Sequence, residues 1–467
     1  MHSVQAVWEH DRIFYQMMPQ QCYTSSVNNE PNNKPTPKDN EQPSVARSTA
    51  LMAVATLTSR ATGLIRTWAM AVALGNTLIT SSYQVANNLP NIIYELVAGG
   101  LLAAAFVPLY ILQTEKFGRA GGDRYASNLL NLAIIILGAL SIAATLFAPE
   151  LIATQTFTVA ADAAVFDYAV QFFRIFAVQM LFYGIGGVFT SILSAHRVFF
   201  ITALAPLFNN LLVIASFCIY PLLLGVDPQL ALTVLAVGTT LGVVAQFAVQ
   251  IPAMARIGFR YRPRIDLRDP ALRDTIKIGI PMIIYVAGML VSFSFRNAFA
   301  LRTGEDGVAT LIYAWTWFQL PHGILAASLT RALFTEMSAA YARGDDTAFK
   351  RHLKNGISGT LLICIPMAGL MSVLSVPLMQ LFRAGAFSAG DVAYVGSILS
   401  VWIFALPFYS VQQFMFKVYS SIRRSTLFSI ICTALTLLQC GLYALFTRPY
   451  SLGLAGIPVA DLIYYAL

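Results

Sequence analysis

The chain has 467 residues, 57% of them hydrophobic and 11% charged, with a formal net charge of +8. A soluble domain carries about 25% charged residues, so this composition excludes a water-soluble globule, which would have too little polar surface to face solvent. The basic excess does not point to nucleic acid, because Lys and Arg lie in short stretches between long apolar runs.

Those runs reach 20 or more residues with few charges, the length a helix needs to cross a bilayer core about 30 Å thick. Transmembrane strands would instead be segments of about ten residues with alternating polarity, and stretches such as 126–148 do not alternate. The expected fold is therefore all-α, a polytopic bundle of about a dozen spans.

In chain order, residues 1–44 are rich in Asn, Pro, Gln and Ser and read as a disordered tail without a signal peptide. Met17 or Met18 would serve equally well as a start. Spans are expected at 48–75, 80–112, 126–148, 165–194, 199–224 and 229–254, then at 271–301, 307–337, 353–380, 391–420, 425–446 and 452–467. Loops after even-numbered spans hold most of the basic residues, among them Lys116, Arg119, Arg124, Arg256, Arg260, Arg262, Arg343, Lys350 and Arg424. Loops after odd-numbered spans hold only Arg302, Arg383 and Arg448. By the positive-inside rule the even loops and the N-terminus are cytoplasmic. The basic stretch from Arg256 to Lys277 reads mainly as a topology determinant touching anionic headgroups, with a partner site as the sharper alternative.

A repeat emerges when the halves are compared. Leu89-Pro90 recurs as Leu320-Pro321, Arg66 as Arg296, and Phe176-Ala177 as Phe404-Ala405, at offsets near 230 residues. This predicts two six-helix lobes, 45–256 and 271–467, joined by a cytoplasmic basic linker at 257–270 and related by a pseudo-two-fold repeat. A central cavity forms at such a repeat interface.

Charges inside spans are expensive, about 2.5–3.5 kcal/mol each at a helix centre. Arg60 comes too soon after Ser48 for the helix to end there, so the first span carries both Arg60 and Arg66, with Arg296 at the related position of the second half. Six residues apart, Arg60 and Arg66 face directions about 120° apart and would line two walls of one cavity. Gly63 between them leaves room for a neighbouring helix or a headgroup. In the second span Asn87, Asn91 and Glu95 share one face, flanked by Tyr94, and Pro90, Gly99 and Gly100 mark a candidate hinge and close approach. A hydrogen-bonded cluster between helices is the equal alternative for this patch. A cavity richer in Arg than in acids suits an anionic cargo, since guanidinium pairs bidentately with phosphate and keeps its charge. No catalytic or metal cluster stands out. The cysteines form no C-x-x-C pair, and the five histidines are scattered.

The stretch Ser59-Arg60-Ala61-Thr62-Gly63-Leu64-Ile65-Arg66, followed by Asn87-Asn88-Leu89-Pro90-Asn91-Ile92-Ile93-Tyr94-Glu95, resembles the MviN/MurJ family of lipid II flippases. Ala105-Phe106-Val107-Pro108, Leu320-Pro321-His322-Gly323 and Leu381-Phe382-Arg383-Ala384-Gly385-Ala386-Phe387 continue the likeness. The resemblance implies a fold of the multidrug/oligosaccharidyl-lipid/polysaccharide exporter type. It also implies a cargo, an undecaprenyl-diphosphate-linked glycopeptide moved to the outer leaflet, with Arg60 and Arg66 at headgroup-binding positions. Tyr94 and Thr316 stand where well-known members carry further cavity arginines, and Ser81 where an acid is expected. The Asn-Asn-Leu-Pro-Asn variant resembles the actinobacterial branch, whose members often append a kinase-like domain. The family has about fourteen spans, so this chain is expected to be a truncated version ending within its twelfth. The resemblance implies no cofactor, with the membrane potential or a monovalent cation as the drive, and lipid II, the bilayer and cell-wall synthesis proteins as partners. The competing readings are an exporter of another lipid-linked glycan or a drug, a lipid II-binding scaffold, and a membrane enzyme acting on polyprenyl phosphates.

Overall fold

The computed structural model describes residues 45–94, 106–160, 163–263, 265–422 and 424–467, and the expected disordered tail at 1–44 lies outside them. Among the described residues the regular structure is helical throughout. The first half holds α1 (Val45–Leu74), α2 (Leu78–Tyr94), α3 (Val107–Leu146), α4 (Ala148–Thr156), α5 (Ala164–Phe176), α6 (Gln179–Ala195), α7 (Phe199–Leu224), α8 (Pro228–Ala248) and α9 (Ile251–Arg256). The second half holds α10 (Pro270–Thr303), α11 (Gly307–Pro321), α12 (Ala327–Ala342), α13 (Asp346–Val373), α14 (Ser375–Gln380), α15 (Ala389–Trp402), α16 (Leu406–Ser421), α17 (Ser425–Phe446) and α18 (Gly456–Ala466). Within the described residues each of the expected spans is built of helix. Six helical segments are long and apolar enough to cross a bilayer alone, and α5 with α6 makes a seventh across a 42° bend.

Helix ends follow local chemistry. Asp227 caps α8 by accepting from the N–H groups of Gln229 and Leu230 at 2.9 and 3.3 Å, with Pro228 opening the helix. Ser388 and Asp391 form a reciprocal capping box at the start of α15. The structure departs from the expected spans at the breaks. The loop expected at 113–125 is helical, and α3 kinks at Gly118 (φ 67°, ψ −177°) instead. The single span expected at 307–337 divides after Pro321 into a π turn, His322–Ala326, before α12. The proline supplies the cause, since it cannot donate back to the preceding turn.

The repeat has a packing counterpart. In the first half α2 packs on α5, α3 on α6 and α7 on α8; in the second, α11 packs on α15, α13 on α16 and α17 on α18. The break between α5 and α6 at 177–178 has its match in the 3-10 turn Ile403–Ala405 between α15 and α16. The Phe-Ala pairs that signalled the repeat thus mark the two helix breaks.

The main core runs through both halves. Tyr83 of α2 meets Phe172 and Phe176 of α5 edge-on at 5.7 and 5.4 Å, and Tyr313 of α11 meets Phe387 at 5.2 Å. Residues 50–467 form one compact unit.

Candidate functional site

Burial changes steeply along α1. From Ala69 to Leu74 most side chains are buried, whereas Val54 and Leu57 are 60% and 65% exposed and Arg60 is exposed. In the second half, α11–α12 shows a similar change, buried at 307–311 and largely exposed at 331–336. The halves close on each other at the end bearing the α1–α2 and α10–α11 loops; toward the other end α1 and α12 become exposed, while the start of α10 stays packed on α3, where the Tyr125 and Thr275 hydroxyls lie 2.7 Å apart.

The closed end is held by polar contacts between repeat-related segments. Asn76, after α1, donates to Asp306 at 3.2 Å and to Thr310 at 2.9 Å. The Ala309 N–H donates to Ser81 Oγ at 3.1 Å, and Tyr313 donates its hydroxyl to the Gly75 carbonyl at 2.9 Å. The Ala386 N–H reaches the Val72 carbonyl at 2.9 Å, and Trp68 Nε1 donates to the Leu381 carbonyl at 2.9 Å. This close approach requires glycine. Gly75 and Gly385 both adopt positive φ, and a Cβ on either would lie 2.3–2.4 Å from a carbonyl oxygen of the other segment. Half-buried Asp306 is held above the usual carboxylate range, first by burial and then by the charge of Asp391.

The arginines of α1 lie away from the closed end. At 1.5 Å per residue, Arg60 and Arg66 lie about 21 and 12 Å from the Leu74 end of α1. Arg60 reaches toward the other half, since a Cβ on Gly323, in the π turn after α11, would stand 2.5 Å from its Nη1. Partly buried Arg66 lies within electrostatic reach of Tyr83 on α2. The two guanidinium groups thus have different neighbours. Gly63 faces Asn210 of α7 at an ordinary 3.8 Å, the neighbouring-helix role of its two readings. Asn210 donates to the Ser59 carbonyl and to Thr62 Oγ1 at 3.2 and 3.1 Å, so it clamps the α1 turn that carries Arg60.

Among the other expected site residues, Asn91 accepts from the Tyr183 hydroxyl of α6 at 3.1 Å, which ties α2 to α6. Asn87 is partly exposed and Pro90 is buried inside α2. Tyr94 ends α2, but its side chain, Glu95, Gly99 and Gly100 lie outside what the structure describes. Arg296 has surroundings of its own, unlike those of Arg60 and Arg66. It lies over the rings of Phe293, Trp315 and Trp402 at 4.6, 5.8 and 6.0 Å, within electrostatic reach of buried Asp461. Asp461 accepts from Gln439 at 2.8 Å and from the Tyr443 hydroxyl. Sequence reasoning missed Asn210, Gly323, Asn76 and Asp306. Only the offset of 230 between Asn76 and Asp306, matching the repeat, could have flagged the last two.

The family described as Lipid II flippase MurJ matches residues 70–467. The chain belongs to that family. Among MurJ relatives, a probable lipid II flippase of Rhizobium meliloti is 30% identical over 375 residues, covering 78% of this chain and 68% of the relative. The lipid II flippase MurJ of Burkholderia cenocepacia is 27% identical over 357 residues, covering 74% and 67%. A solved lipid II flippase MurJ in an inward closed conformation superposes with a TM-score of 0.75 at 23% identity, over 89% of this chain and 86% of that one. A multidrug resistance transporter of the MOP superfamily in an inward-facing conformation gives 0.73 at 15% identity, over 89% and 94%. These structural likenesses confirm the two-lobed transporter fold expected from the sequence. MurJ membership makes the chain a multi-pass bacterial membrane protein of a transporter family, with lipid II as the family's cargo.

Proposed function

We propose that this MurJ family member carries lipid II from the cytoplasmic to the outer leaflet by alternating access, and that Arg60 and Arg66 receive the cargo diphosphate in an inward-facing cavity. One observation carries the reading: a polar junction ties the halves together around Gly75, at the end away from the basic loops, which leaves the basic side for cargo entry. Arg197, Arg260 and Arg343 lie beyond helix ends remote from the Gly75 junction, Lys350 lies in the second turn of α13, and Arg119 lies at the kink of α3. The positive-inside rule makes that end, and the N-terminus, cytoplasmic. Arg60 is exposed despite its depth along α1 and reaches toward Gly323 of the other half, which supports a watery or headgroup-filled cavity around it, since a charge facing lipid tails is expensive.

Each step rests on the chain's own residues. Guanidinium groups from two directions match a diphosphate, which offers oxygens on several sides. The inter-half seal of Asn76, Asp306, Thr310 and Tyr313 breaks when the cavity turns outward, and the bends between α5 and α6 and between α15 and α16 are the places to absorb the motion. The membrane potential or a monovalent cation supplies the drive, and cell-wall synthesis proteins receive the product. Arg296, set among Phe293, Trp315 and Trp402 within electrostatic reach of Asp461, joins the cavity only as the second half moves.

The test is complementation in a strain depleted of its own flippase, with membrane abundance measured in parallel. Arg60→Lys and Arg66→Lys should insert normally and weaken lipid II binding about tenfold through loss of the bidentate geometry. The Ala variants should not complement, and Arg383→Ala, on the exposed loop after α14, should. Normal growth of both Ala variants at normal abundance would sink the headgroup assignment.

A further inference from the structure

The linker, expected mainly as a topology determinant touching anionic headgroups, is bound to α3 along much of its length. The Arg260 N–H donates to Asp123 Oδ2 at 3.3 Å and the Arg262 N–H to Ser127 Oγ at 3.0 Å. Asn131 Nδ2 donates to the Arg262 carbonyl at 3.1 Å, and Asn128 both donates to the Asp266 carbonyl at 2.9 Å and accepts the Asp266 N–H at 2.8 Å. Asp123, Ser127 and Asn131 recur every four residues, so one face of α3 grips an extended segment. In an extended segment alternate residues share a side, which brings the Arg260 and Arg262 side chains together.

Between the linker and α3 lies a cavity of about 400 Å³ lined by Arg119, Ala120, Asp123, Gly258, Arg260 and Arg262. Its charged groups are three guanidinium groups and one carboxylate. Arg119 lies over the Gly258 backbone, where a Cβ would stand 3.2 Å from its Nη2 and where φ is +69°. Asp123 is 3% exposed, and its Oδ1 has no hydrogen-bond partner among the described residues. Such a site accepts a phosphate at the arginines and a hydrogen-bond donor at Asp123.

The surroundings choose between a dissolved anion and a lipid. Phe117 is 67% exposed at the Gly118 kink, and on the linker Tyr261, Ile265 and Leu267 are 51%, 48% and 71% exposed. Apolar side chains interleaved with arginines are the pattern of a segment lying in the headgroup layer. We propose that this cavity is a lipid site separate from the transport cavity, holding a phosphodiester headgroup of the cytoplasmic leaflet. The phosphate sits among Arg119, Arg260 and Arg262. The donor at the headgroup's end, an ammonium or a hydroxyl, faces Asp123 Oδ1. The site keeps the linker, and with it the start of α10, at the membrane surface.

The probe is native mass spectrometry of the purified full chain, offered phosphatidylethanolamine, phosphatidylglycerol or phosphatidylcholine in neutral detergent. Retention of the first two should exceed that of phosphatidylcholine, whose quaternary ammonium cannot donate. Arg260→Gln with Arg262→Gln should lower retention about 30-fold, about fivefold for each charge near the surface, without changing the melting temperature. Asp123→Asn should erase the preference over phosphatidylcholine. Lys350→Gln with Arg351→Gln, on another cytoplasmic loop, should retain lipid like the parent; an equal loss there would reduce the effect to bulk charge and overturn the site. Undiminished retention in the Arg260/Arg262 variant overturns it too. So does stabilisation by inorganic phosphate through the same arginines with no phospholipid retained, which would make the site one for a soluble anion.

Discussion

Replacing Gly75 with Ala attacks the seal between the halves at its tightest point. Gly75 has φ +67°, where an L side chain costs about 1–2 kcal/mol. The added Cβ would stand 2.4 Å from the Ala386 oxygen and 2.9 Å from its carbonyl carbon. Both are backbone atoms, so the segment around Ala386 must retreat by about 1 Å to restore van der Waals contact. Retreat weakens the Ala386-to-Val72 hydrogen bond and the bond from Tyr313 to the Gly75 carbonyl, each contributing about 0.5–1.5 kcal/mol. The sum, about 2–4 kcal/mol against the closed end, shifts the balance between closed and open forms by about 30-fold or more. In a background stripped of native cysteines, Asn76→Cys and Thr310→Cys report the seal, because the parent side chains lie 2.9 Å apart. Disulfide formation should be rapid when Gly75 is kept and at least about fivefold slower in the Gly75→Ala variant. Gly369→Ala in α13, where a Cβ meets nothing within 4 Å, is the control. Unchanged cross-linking in the Gly75→Ala variant would refute the claim that this junction closes the halves on each other.

Gly323→Ala would push the Arg60 guanidinium, the mobile end of a long side chain, from its 2.5 Å approach; complementation should weaken while the melting temperature holds. Asn210→Ala should lower thermal stability in detergent by about 1–2 kcal/mol, because the Ser59 and Thr62 contacts are lost from one side only. Asp306 carries a raised pKa, so the stability it contributes is present in acid and lost as pH rises through that value. As pH rises from the ordinary carboxylate range, melting of the parent should therefore fall more than melting of Asp306→Asn, and equal pH dependence in the two would remove Asp306 from the seal.

The sequence alone determined the all-helical class and the long apolar runs, placed two arginines in α1, and flagged the Phe-Ala pairs that mark the two helix breaks. Each follows from one-dimensional rules: apolar length against bilayer thickness, the expense of charge in lipid, and short motifs recurring at a fixed offset. The same rules could suggest neighbours but not establish them. That Gly63 faces Asn210, that Asn91 pairs with Tyr183 and that Arg296 stacks on aromatic rings depends on which helix lies alongside. A helix pattern reports its own buried face without saying what covers it. The linker shows the difference most plainly. Its arginines read as a count in a loop, and only the extended backbone held by Asp123, Ser127, Asn128 and Asn131 turns two of them, with Arg119, into the walls of a cavity. Hydrogen bonds between residues far apart in the chain, such as Asn128 and Asp266, follow from the tertiary fold, because chain separation carries no information about approach in space until the helices have packed.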